Sequence, residues 1–128
     1  MTTTIVFPLL FAALFAVGSC GIPGGFSYID PNSPNFRKAM NFAVSDYNMH
    51  IDDVYYHKAT AVLKAKSQVV AGQNIFMSLE LARTRCMKND PSANYCPLFY
   101  PQQIYHCNFE VFISLGMGEM TLTTENCR

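Results

Sequence analysis

The sequence predicts an α+β fold in which a single α-helix packs across a curved antiparallel β-sheet of four to five strands. Two observations carry this. An apolar period of three and four residues occurs once, between Phe36 and Tyr47, and from Tyr55 onward the period shifts toward two and stays there. A third, four of the five cysteines placed after Arg85, suits a small extracellular domain stapled by disulfides.

The elements follow in order. "MTTTIVFPLLFAALFAVGSC" has no charged side chain, and its apolar run is followed by small residues, so residues 1–20 read as a signal peptide and residues 21–128 as one secreted domain. The segment "GIPGGFSYIDPN" is rich in Gly and Pro and reads as an extended arm. Ser33 then Pro34 signals a helix start, a hydroxyl cap with proline at the first helical position. Phe36, Ala39, Met40, Ala43, Val44 and Tyr47 form its apolar stripe; Arg37, Lys38, Asn41, Ser45 and Asp46 its wet side. "NMHIDD" ends it. In the first long strand, Ala59, Ala61, Leu63 and Ala65 alternate with Lys58, Thr60, Lys64 and Lys66, although Val62 breaks the polar face.

A second strand is expected over 74–85, with Ile75, Met77, Leu79 and Leu81 on one side, and a third over 104–115, with Cys107, Phe109, Val111 and Ile113 alternating. "KNDPSANYCPLFYPQQ" is a loop between them. "GMG" turns the chain into a last strand, Met120 to Cys127. A disulfide between Cys107 and Cys127 would staple this hairpin, with its midpoint at Met117. A symmetric register would face Phe109 and Val111 with Glu125 and Thr123. An offset or a bulge is therefore expected.

Nine basic and nine acidic residues balance and never cluster, which argues against a nucleic-acid or membrane-surface patch. Once the leader is removed, Cys86, Cys96, Cys107 and Cys127 make an even count, read as two disulfides with three possible connectivities. No C-x-x-C pair favours a metal site. His50, His57 and His106 form no motif. The chain is expected to be no enzyme, with no catalytic residue, metal or cofactor.

One stretch does not fit an ordinary fold. In "KAKSQVVAGQNIF", Val69, Val70 and Ala71 sit where two strands meet, although turns normally carry polar residues. Apolar side chains at a tip gain when a partner's cleft covers them. Burying most of one valine is worth on the order of 1.5 kcal/mol.

Together with the "PGG" arm, the helix segment "AMNFAVSDYN" and cysteines spaced by ten, eleven and twenty, "QVVAG" resembles the cystatins, whose Q-x-V-x-G signature is matched by Gln68, Val70 and Gly72. The resemblance runs from about Gly24 to Cys127 and is to the secreted, two-disulfide type. It implies the pairing Cys86–Cys96 and Cys107–Cys127. It also implies reversible, tight-binding inhibition of papain-like cysteine peptidases such as cathepsins. The inhibitory wedge would comprise the arm at Gly24, the first hairpin tip Gln68, Val69, Val70, Ala71 and Gly72, and the second hairpin at Leu115 and Gly116, a turn running on to Gly118. A monomer is expected, with a domain-swapped dimer as the alternative because β-branched valines occupy a tight tip.

Three departures matter. The second hairpin of inhibitory relatives usually carries Pro-Trp, whereas this chain has no tryptophan and places Leu115 and Gly116 there. That substitution supports the alternative of a non-inhibitory, cystatin-like secreted interaction protein. The arm is short, leaving Gly21, Ile22 and Pro23 before Gly24. The position that resembles the legumain-binding Asn is Asp52, which implies weak or absent legumain inhibition.

Overall fold

The computed structural model describes residues 25–90 and 95–128. The proposed leader and Gly24 lie outside them. Five strands and one helix follow in the order β1 (Ser27–Tyr28), α1 (Pro34–His50), β2 (Tyr55–Val70), β3 (Gly72–Met87), β4 (Ile104–Ser114) and β5 (Met120–Cys127). The sheet keeps sequence order, β1-β2-β3-β4-β5, and every pairing is antiparallel. The β2–β3 and β4–β5 connections are tight turns, whereas α1 lies between β1 and β2 and residues 88–103 join β3 to β4.

The helix starts where the sequence places it. Ser33 has extended backbone angles, and its hydroxyl oxygen accepts from the Phe36 amide at 3.4 Å. Pro34 occupies the first turn, where a missing N–H costs nothing. At the other end the Ile51 amide donates to the Tyr47 carbonyl at 3.1 Å. Phe36, Ala39, Ala43, Val44 and Tyr47 are buried against Ile75, Met77, Leu79 and Leu81 of β3 and Phe109 and Val111 of β4. The small alanines on this stripe let the helix approach the sheet closely.

The long β2 strand departs from simple alternation. Its pairing with β3 slips between Tyr55 and His57, between Ala59 and Ala61, and between Val62 and Lys64. The first slip passes over Thr84, Arg85 and Cys86 of β3, and each of the three slips leaves one β2 residue without a partner across the ladder. The last of them is Leu63, which the alternation would bury but which is 53% exposed. Ala65, two residues on, is buried again.

The expected irregularity in the last hairpin is present. Phe109 faces Glu125 and Glu110 faces Thr124, but Val111 faces Leu122. Thr123 is the extra residue, and its hydroxyl donates to the Glu110 carbonyl at 3.1 Å. The bulge puts Leu122 rather than a threonine opposite Val111. Both disulfides, Cys86–Cys96 and Cys107–Cys127, are formed.

Candidate functional site

The two hairpin tips meet at one end of the sheet because β3 joins them. Val70 pairs with Gly72 across the first tip, and Gly72 pairs with Ser114 at the mouth of the second. At the first tip Val69 is 63% and Val70 40% exposed, and Ala71 is exposed between them and Gly72. At the second, Leu115 is 73% and Met117 81% exposed. Four large apolar side chains thus share one edge that no described residue covers.

Backbone geometry fixes this edge. Gly72 has φ +130°, and a Cβ there would lie 2.5 Å from the Ile113 carbonyl oxygen and 2.8 Å from the Phe112 ring. Only glycine fits. The close approach that demands it comes from the chain's own β4, so Gly72 joins the two tips as well as shaping the turn. Gln68 accepts from the Asn74 side-chain amide at 3.2 Å across the hairpin stem, just behind the tip. The second tip closes with the Ser114 amide donating to the Glu119 carbonyl at 2.9 Å and the Glu119 amide donating to Ser114 Oγ at 3.1 Å. Gly116 and Gly118 both take positive φ, 82° and 68°. The turn therefore runs through two left-handed positions on either side of Met117.

The arm approaches the same end. Ser27 pairs with Ser67 and Tyr28 with Lys66, and because β1 is antiparallel to β2, the chain before Ser27 runs toward the Val69–Val70 tip. Phe26 packs edge-on against Phe76 at 6.4 Å. Asn35, in the first helical turn, donates to Gln73 at 3.4 Å. Gly24 lies outside the described residues.

The residues singled out in the sequence at 68–72 and 115–116 fall at the two hairpin turns, but the contacts that tie those turns together were not legible there. Phe112, Ile113 and Asn74 tie the two tips together through the ladder. Only the register between β3 and β4 reveals that role, and no local pattern encodes that register.

At the opposite end, a polar cluster ties the helix to the sheet. Arg83 grips Asp53 with two nitrogens, Nε to Oδ2 at 2.8 Å and Nη2 to Oδ1 at 3.1 Å. His57 Nε2 lies 2.8 Å from the same Oδ2, and His57 Nδ1 lies 2.9 Å from the Tyr47 hydroxyl. The Arg83 hydrogen bonds, with help from His57 and against the penalty of burial, hold the Asp53 carboxyl well below the usual carboxylate range. Burial, reinforced by Tyr105, pushes the Tyr47 hydroxyl up to about 12. Asn48 closes the cluster by exchanging hydrogen bonds with the His57 backbone amide and carbonyl, both at 2.8 Å. These are structural ties between α1, β2 and β3. Neighbouring Asp52 is exposed to solvent.

Among the described residues no grouping of His, Cys, Asp and Glu could hold a metal ion, and no helix is long and apolar enough to cross a membrane. One helix laid over an antiparallel meander, with an apolar two-hairpin edge at one end, defines the class of scaffold. A family model described as "Cystatin domain" matches residues 24–116. Cystatin-C of Macaca mulatta is 34% identical over 137 residues, covering 94% of each chain, and Cystatin-C of Homo sapiens is 32% identical over 139 residues with the same coverage. Among solved structures, a salivary cystatin from the soft tick Ornithodoros moubata superposes with a TM-score of 0.69 at 25% identity, covering 84% of this chain and 99% of that one. Dimeric human cystatin F gives 0.72 at 24% identity, covering 83% and 87%, a likeness of fold alone. The chain belongs to the cystatin family, whose members are inhibitors of cysteine peptidases and not enzymes.

Proposed function

We propose that this protein is a secreted, reversible, tight-binding inhibitor of papain-like cysteine peptidases of the cathepsin type, and that it works by filling the active-site cleft. The wedge comprises the arm at Gly24, the tip Gln68–Gly72, and the second tip at Leu115 and Gly116. The observation that carries this reading is the shared edge: Val69, Val70, Leu115 and Met117 stand exposed side by side, on turns fixed by Gly72 and the β3–β4 ladder. A rigid apolar edge loses little entropy on docking, so most of the area it buries contributes to affinity. No scissile carbonyl need reach the catalytic thiolate. Residues 1–20 serve as the leader, and residues 21–128 act as a monomer.

Titrating papain with residues 21–128 tests the reading. Inhibition that reverses on dilution, in the nanomolar to low micromolar range, is expected. No inhibition at micromolar concentration would contradict it and favour the second reading, a non-inhibitory secreted interaction protein. The second hairpin is what supports that alternative, because Leu115 and Gly116 stand where inhibitory relatives carry Pro-Trp. A lost tryptophan anchor is worth about 1–3 kcal/mol of affinity, so a weaker inhibitor is the expected result. Exposed, charged Asp52 is expected to give weak or no inhibition of legumain. Sub-micromolar legumain inhibition at neutral pH would overturn that assignment.

A further inference from the structure

Beside the arm, on the outer edge of the sheet, lies a groove of about 540 Å³ that the peptidase-facing edge does not use. Its walls are Phe26 and Tyr28 from the arm and Val62, Leu63, Lys64 and Lys66 from β2. Three of its apolar residues are strongly exposed: Tyr28 at 77%, Leu63 at 53% and Phe26 at 48%. The slip between Val62 and Lys64 creates it, because the unpaired Leu63 is turned out of the ladder. Among the described residues neither Lys64 nor Lys66 has a carboxylate partner. The edge beside the groove is also open. β1 covers only Lys66 and Ser67, its last tie is the Ile29 amide to the Ala65 carbonyl at 3.4 Å, and no described strand flanks β2 on that side from Tyr55 to Lys64.

We infer that this groove is a second recognition site, which takes a short extended peptide segment of a partner protein carrying an apolar side chain flanked by carboxylates. An extended segment can lie along an open sheet edge and drop alternate side chains into a pocket. The two lysines select for charge. They repel a basic strand and leave a neutral one with two uncompensated ammonium groups, while an acidic one pairs with both. The β2 bulges interrupt the ladder and keep the match short, which disfavours edge-to-edge stacking of whole sheets. None of the residues lining the groove belongs to the tips at 68–72 or 115–118, so the groove and the tips can be filled together.

The test is a selection of seven-residue peptides from a random display library on residues 21–128, followed by fluorescence titration of the enriched sequences. Enrichment of peptides with Asp or Glu flanking an apolar residue is expected. Their affinity should fall at least tenfold in the double variant Lys64→Glu/Lys66→Glu and in Leu63→Ser, and chemical-shift changes should map to residues 26–31 and 62–66. The charge-reversed variant should in turn prefer Lys-flanked versions of the same peptides. Unchanged melting temperatures of the variants separate lost binding from lost folding, and unchanged papain titration separates this site from the proposed wedge. No enrichment, enrichment without carboxylates, indifference to the lysine reversal, or shifts centred on residues 68–72 would overturn the proposal. So would occupation of the groove by a second copy, seen as concentration-dependent dimerisation that Leu63→Ser abolishes.

Discussion

At the scale of single residues, the tip divides into parts that touch solvent and a part that holds the tip in place. Val70 is 40% exposed, so Val70→Asp removes nothing from the core. Its expected effect is at least a tenfold loss of peptidase affinity with an unchanged melting temperature, checked by inhibition titration and thermal unfolding of the same sample. Gly72 is different. Its positive φ and the Ile113 oxygen 2.5 Å from a would-be Cβ mean that Gly72→Ala must distort the junction of the two hairpins. A stability loss on the order of 1–3 kcal/mol is expected, along with lost inhibition, measured by denaturant unfolding. The sequence exposes this glycine's position but not its reason. "QVVAG" reads as a turn with glycine for freedom, whereas the ladder partner that crowds it, Ile113, lies forty-one residues away.

At the scale of elements, the helix was the most legible part. A cap, a proline and one apolar stripe are local signals, and Pro34–His50 begins at the residue they indicate. Ser33→Ala should cost about 1 kcal/mol in denaturant unfolding, the usual worth of an N-cap. The strands were legible in number and rough extent, but less so in register. The β4–β5 bulge could be anticipated because an unbroken register would set Val111 against a threonine. The three slips in β2 could not, because alanines at 59, 61 and 65 pattern too weakly to fix a face. Also hidden was the Asp53–Arg83–His57–Tyr47 cluster, whose members are scattered over α1, the following loop, β2 and β3. Because the Asp53 carboxyl is held below its ordinary value near 3.8, the native state favours the ionised form. Its contribution is complete above that ordinary value and is lost as the pH falls below it toward the depressed one. Melting temperatures should therefore be flat in this respect from neutral pH down to about 5 and fall below about 4. Asp53→Asn should be less stable at neutral pH and show a shallower acid decline. An equal acid decline in wild type and variant would assign the effect to other carboxylates.

At the scale of the whole molecule, the fold class was readable because the switch of apolar period lies along the chain, whereas the disulfide pairing came from the cystatin resemblance, since the cysteines alone leave three connectivities open. The meeting of two tips at one edge was not readable from pattern. It depends on β3 serving both hairpins, which places Gly72 opposite Ser114. The Cys107–Cys127 staple closes the second of those hairpins at its far end, and replacing both cysteines with serine should lower stability by about 3 kcal/mol in the chain-entropy account. Tip residues are expected to keep their local shape, since β3–β4 pairing holds them independently of that bridge. The edge as a unit is what the functional reading needs. Its most direct test is amide hydrogen exchange on residues 21–128, alone and bound to papain whose active-site thiol carries a small methylthio block. New protection is expected at residues 68–72 and 115–118, with the loop at 51–54 unchanged. Protection centred on that loop or anywhere else, with both tips exchanging as freely as in the unbound protein, would contradict that reading.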